Sequence, residues 1–204
     1  MDMTRVWDLA VRLFHWGLVA AVAVAWLTAD EWDDLHVIAG YSVAGLVAFR
    51  LVWGVIGGKY ARFSQFLRGP SVVMAYLRDA LVGHEKRYLG HNPAGAVMIL
   101  ALLVTLSATA FTGWLSQDPV RIAALPPAPQ IVSLAWADDD GDEGDGEGGS
   151  GIVADLHELL ANGLLLLIML HLGGVGLASY RHHENLARAM VTGDKRAPAE
   201  SDVD

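Results

Sequence analysis

The chain has 204 residues, 53% of them hydrophobic and 18% charged, with a mean hydropathy of +0.37. A soluble domain of this size carries about 25% charge, and a net charge of −9 argues against nucleic acid as a partner. The absence of cysteine excludes disulfides, thiolate zinc sites, iron–sulfur clusters, a thiolate nucleophile and thioether haem attachment, so metal or redox chemistry must rest on the eight histidines or on carboxylates.

The first apolar run is broken only by Asp8, Arg12 and His15 and predicts a span over about residues 6–28. It is too long for the ~7–15-residue core of a secretory signal, so it reads as retained. A short acidic connection leads to a second span, about 35–57, which carries His36 and Arg50. Residues 58–92 follow; Val72, Val73, Tyr76, Leu77, Ala80 and Leu81 have the spacing of one face of a short helix, either interfacial or a lid on the bundle. Asn92-Pro93 reads as an N-cap with Pro at the first helical position, opening a third span, about 93–115, that contains no charge. A segment of about 116–151 includes Pro126, Pro127 and Pro129 and then, over 138–151, seven acids and six glycines. That composition predicts disorder, as a solvated linker or a docking surface, and Glu143 stands where a calcium-binding EF-hand loop needs Gly. The fourth span, about 152–180, carries Asp155, His157, Glu158 and His171.

Each run can cross ~30 Å of hydrocarbon as a helix. The third has no polar face, which excludes a soluble bundle. The expectation is an all-α integral membrane protein, a four-transmembrane-helix bundle forming one domain over 1–193, with a tail over 194–204. Of the 14 basic residues, 13 fall on one side of this topology, and that side should be the cytoplasm. Both termini are then cytoplasmic, in a bacterial inner membrane. The outer side carries a net −13 and the inner side +4. Trp7, Trp26, Trp32, Trp53 and Trp114 sit near span ends, as an aromatic belt does.

A histidine inside a membrane span is costly and is a functional candidate by default. His157 and His171 are 14 residues apart on the fourth helix. At ~100° per residue they share a face, about 21 Å apart along the axis. Rise counting puts His15 and His171 at one depth, about 13 Å from the inner boundary, and His36 and His157 together near the outer one. Two facing imidazoles at each of two levels is what bis-histidine haem requires; a zinc or proton site would need a third or fourth ligand at one level. Arg50, well inside its span, needs an anion: a propionate of the inner haem or a lipid phosphate. Arg12, one turn before His15, has the same two readings. His91 reads as a headgroup-level residue, with a place beside a quinone near the inner haem as the alternative.

The segments Arg12-Leu13-Phe14-His15-Trp16, His36 with Gly40, Arg50-Leu51-Val52-Trp53-Gly54 and Gly90-His91-Asn92-Pro93-Ala94-Gly95-Ala96 carry a resemblance. So do Thr112-Gly113, His157 to Asn162 through His171, His183-Glu184-Asn185-Leu186 and Met190-Val191-Thr192-Gly193. In their order and spacing the chain resembles bacterial cytochrome b561, the group that includes the b-type cytochrome subunits of nickel–iron hydrogenases and formate dehydrogenases. The resemblance covers nearly the whole chain. It implies two non-covalent b haems, with His15 and His171 as axial iron ligands of the cytoplasmic-side one and His36 and His157 of the periplasmic-side one. It also implies electron exchange between the quinone pool and a periplasmic redox partner such as a c-type cytochrome. Other roles compatible with it are a membrane anchor in a larger dehydrogenase or hydrogenase complex and a superoxide:quinone oxidoreductase. Hydrogenase-type members usually have an extra helix, which this chain lacks.

Overall fold

A computed structural model describes residues 2–29, 31–124 and 148–203. Most of the acidic, proline-rich segment expected over about 116–151 lies outside the described residues. Four of the described helices are long and apolar enough to cross a membrane: α1 (Leu9–Leu27), α2 (Asp33–Ile56), α5 (Pro93–Ser116) and α7 (Gly148–Arg181). Between them lie short helices α3 (Phe63–Phe66), α4 (Pro70–Leu81) and α6 (Pro119–Ala123). Helix α8 (Leu186–Thr192) follows, and strands β1 (Met3–Arg5) and β2 (Asp194–Arg196) flank the whole.

Local chemistry sets the helix ends. Asp8 caps α1, its Oδ1 accepting from the Val11 N–H at 2.8 Å, so the helix begins at Leu9 although the apolar run begins earlier. Asp33 and Asp34 lie in the first turn of α2, where the helix dipole favours negative charge. Asn92 caps α5 through the Gly95 N–H at 2.7 Å, with Pro93 at the first helical position as expected.

The bundle is unevenly packed. α1 lies along α2, α5 along α7, and α2 against α5, whereas α7 forms no comparable interface with α1 or α2 among the described residues. Phe14, Val43, Val47, Leu103, Leu106 and Leu164 form the buried core where α1, α2, α5 and α7 approach one another. α4 buries none of its residues, and Val72, Met74, Leu77 and Leu81 are exposed. An apolar helix surface left uncovered by protein suits the membrane interface better than a lid.

The two ends of the chain meet at one end of the bundle. β1 pairs antiparallel with β2, Met3 opposite Arg196 and Arg5 opposite Asp194. Gly193 ends α8 in the left-handed region at φ 89°, and its carbonyl accepts from the N–H groups of Val6 (2.9 Å) and Trp7 (3.0 Å). A Cβ there would lie 2.7 Å from the Trp7 carbonyl oxygen, so both conformation and contact call for glycine. Residues beyond 193 fold back onto this end rather than trailing away. Arg87 donates twice to Glu184 (2.8 and 3.2 Å), once to Asp202 and once to the Arg196 carbonyl (2.9 Å). Lys195 reaches Glu184 at 3.4 Å and the Leu89 carbonyl at 2.9 Å. Burial pushes the Glu184 and Asp202 carboxyls up, but these hydrogen bonds and cations outweigh it and leave both below the ordinary carboxylate range.

Candidate functional site

The gap that packing leaves between α7 and the α1–α2 pair is bridged by histidines. His36, in the second turn of α2, faces His157, two turns or more into α7, with ring centroids 6.1 Å apart and planes at 79°. Each ring has its Nδ1 engaged. His36 Nδ1 donates to the Ala25 carbonyl at 2.8 Å. His157 Nδ1 lies 3.0 Å from the Thr109 carbonyl and 3.1 Å from Thr112 Oγ1. The Thr112 hydroxyl in turn donates to the backbone of its own helix, to the carbonyl of Ala108 or Thr109, at 3.0 Å. A ring whose Nδ1–H is spent on a carbonyl has its Nε2 lone pair free for a metal, with orientation and tautomer fixed. A metal held in line between two imidazole nitrogens at ~2 Å puts the ring centres roughly 6 Å apart. The observed separation therefore fits one axially ligated iron.

Gly113 makes room for this pair. A Cβ at 113 would stand 2.9 Å from His157 Cε1. Gly40 and Gly45 on α2 and Gly163 and Gly173 on α7 have open space where a Cβ would be.

The inner pair is built differently. His15 on α1 and His171 on α7 lie within electrostatic reach of one another. The His15 Nδ1 is buried and has no hydrogen-bond partner among the described residues. His15 also stacks edge-on against Trp16 at 5.2 Å. Arg12 lies one turn before His15 on α1, and Arg50 sits toward the C-terminal end of α2. Arg50 is 3% exposed, so it does not snorkel to a lipid phosphate. Its Nη2 donates to the Ala61 carbonyl at 3.0 Å, and its guanidinium lies 4.9 Å over the Phe63 ring. Gly54 allows this, since a Cβ there would sit 2.1 Å from Phe63 Cε2. Arg12 points its Nη1 to the Thr192 carbonyl at 2.9 Å, stitching α1 to the C-terminal end of α8.

For His91 the sequence offered a headgroup-level place or one beside a quinone. The structure wedges its ring between Trp7 and Phe66, both at 4.6 Å, with a buried Nδ1 that has no partner among the described residues. Burial first, then Arg50, Lys195 and His171, push it down to about 3, so the ring is neutral at physiological pH. Its position just before the Asn92 cap hinted at a headgroup-level residue; its packing depends on the N-terminus and α3, which no local pattern reveals.

Among the described residues no three His, Asp or Glu side chains gather as a zinc site needs. A groove of about 580 Å³ between α2 and α5 is lined by Leu51, Phe63, Leu100 and Val104 among others. Its one polar side chain, Ser107, is already bonded to the Leu103 carbonyl.

A family model described as prokaryotic cytochrome b561 matches residues 6–193, which include all four paired histidines. The chain belongs to that family. No match was found among curated proteins or among solved structures. As a cytochrome b561 the chain is a multi-pass membrane protein that binds b-type haem and takes part in transmembrane electron transfer. The matched region stops at Gly193, yet this b561 chain continues through β2 and the Asp202 contact with Arg87.

Proposed function

We propose that this cytochrome b561 carries electrons across a bacterial inner membrane between the quinone pool and a periplasmic redox protein such as a c-type cytochrome, using two b haems. His36 and His157 are the ligands of the periplasmic-side haem; His15 and His171 are those of the cytoplasmic-side one. A haem held by two of these histidines would supply one-electron ferric/ferrous exchange, which suits electron transfer rather than substrate chemistry. The observation that carries this reading is the His36–His157 pair at 6.1 Å, with both Nδ1 atoms turned away to backbone carbonyls.

The chain's own residues do three things. α7 holds one ligand at each level on a single face, separated by 14 residues. Thr109 and Ala25 fix the outer rings, and Arg12 and Arg50 place positive charge at the inner level, where a propionate needs it. The outer surface, at a net −13, favours a cationic partner. The gathering of 13 of the 14 basic residues, with both termini, on the other side supports a cytoplasmic inner face.

The test is a pyridine haemochrome assay on the purified, haem-supplied protein. Two haems per chain are expected. His15→Ala and His171→Ala should each leave one haem, and the same one; His36→Ala and His157→Ala should each leave the other. A colourless wild-type chain overturns the reading.

A further inference from the structure

Arg50 is a buried cation with no carboxylate within ion-pair distance among the described residues, and its Nη1 has no hydrogen-bond partner there. A buried guanidinium left in that condition is costly, as is a buried imidazole nitrogen without a partner. Both occur in one neighbourhood. Phe63 lies under the Arg50 guanidinium at 4.9 Å, Phe66 meets Phe63 edge-on at 5.8 Å, and His91 stacks on Phe66 at 4.6 Å. Arg50 and His171 are both within electrostatic reach of His91. Asp8 also acts on Arg50 electrostatically, but its Oδ2 is taken by the Trp53 indole N–H at 3.2 Å and its Oδ1 by the Val11 amide. The two orphaned atoms, Arg50 Nη1 and His91 Nδ1, are a charged donor and a neutral ring nitrogen able to donate. Together they ask for an oxygen anion arriving from outside the polypeptide.

We propose that Arg50 and His91 form a carboxylate-binding site that holds a propionate of the haem ligated by His15 and His171. This rests on the haem reading above and extends it to a residue outside the ligand set. The propionate is the carboxylate that a haem between α1 and α7 brings to this depth. His91 is then a positioning residue: Trp7 and Phe66 clamp its ring so that the donor stays aimed where the carboxylate arrives.

The experiment is a spectroelectrochemical titration of the purified diheme protein, with the inner haem assigned as the one lost in His171→Ala. His91→Phe keeps an aromatic ring between Trp7 and Phe66 but has no donor. Arg50→Gln removes the charge, and His91→Gln keeps a donor. A propionate deprived of its donor is more negative and favours ferric iron. His91→Phe should therefore lower the inner potential by a threefold to tenfold change in the reduction equilibrium, at most about 59 mV for one electron. Arg50→Gln should lower it further, His91→Gln should stay within threefold of wild type, and the outer haem should not move. Unchanged inner potentials in His91→Phe and Arg50→Gln overturn the proposal, whatever other anion binds there. Equal shifts or equal loss of the inner haem in His91→Phe and His91→Gln also overturn it, because His91 would then matter only as packing. A wild-type chain without haem would instead defeat the reading beneath it.

Discussion

The outer and inner histidine pairs sit on the same helix, α7, but are held by opposite means. The outer pair is positioned by neighbours close at hand on packed helices: Ala25 across the α1–α2 turn, and Thr109, Thr112 and Gly113 on one stretch of α5. Its rings are fixed by the protein alone. The inner pair shows no such anchors among the described residues; His15 Nδ1 has no partner there, and His91, within electrostatic reach of His171, packs between Trp7 of the N-terminus and Phe66 of α3. A site completed by its own backbone is preorganised, whereas one with unpaired donors around it is completed by what it binds. The inner end depends in addition on the clamp formed by β1, β2 and the Arg87 cluster.

The most drastic way to break this comparison is to fill the space beside His157. Gly113→Leu places a side chain where even a Cβ would be 2.9 Å from the ring. The outer haem should be lost, halving the haemochrome value, while the haem that depends on His171 remains. Loss of both haems, or of neither, would show that the two levels are not independently built.

The converse change strikes the inner end. Arg87→Met leaves Glu184 and Asp202 without their shared partner at a site where all three side chains are under 10% exposed. Breaking a buried pair on one side costs about 3 kcal/mol. The inner haem should become more labile to heat, with the outer haem's dissociation unchanged. The same clamp has a pH dependence of definite sign. Glu184 and Asp202 have folded-state values below their unfolded ones, so their contribution is fully present above the unfolded carboxyl range. It is lost as pH falls from the unfolded carboxyl range through the depressed folded-state values. The protection factors of the Leu89 and Val203 amides, which bond to the Val203 and Arg87 carbonyls, should fall over that window and stay flat between pH 5 and 7.

How much of this was readable from the chain follows the same division. The four spans were legible because lipid demands long apolar runs, and the approach of His36 to His157 was legible because helix rise and rotation are regular enough to convert spacing into depth and face. The outer site is local in just this sense: Thr112-Gly113 and His157 are each on a regular helix. The inner end was not legible. The sequence offered no partner for Arg87, because its ion pairs with Glu184 and Asp202 join residues about 100 positions apart and leave no periodic trace. His91 read as a headgroup-level residue or one beside a quinone, and its two aromatic neighbours, Trp7 and Phe66, belong to other segments. Arg50 admitted two partners on sequence, and it is burial, a property of the fold, that removed the lipid phosphate.

The mildest change tests whether the outer site is preorganised by redundancy. Thr112→Val is close in shape and removes the hydroxyl 3.1 Å from His157 Nδ1, but the Thr109 carbonyl at 3.0 Å remains as acceptor. Ring orientation and tautomer should therefore survive, and both haems should be retained. What changes is the electron density on the ring. A hydrogen-bond acceptor at Nδ1–H makes the ligating nitrogen more basic and stabilises the ferric state. With one of two acceptors gone, the outer potential should rise, by less than a tenfold change in the reduction equilibrium or about 59 mV. A fall in potential, or loss of the haem, would mean that Thr112 rather than the α5 backbone orients His157. The outer pair would then be no more self-sufficient than the inner one.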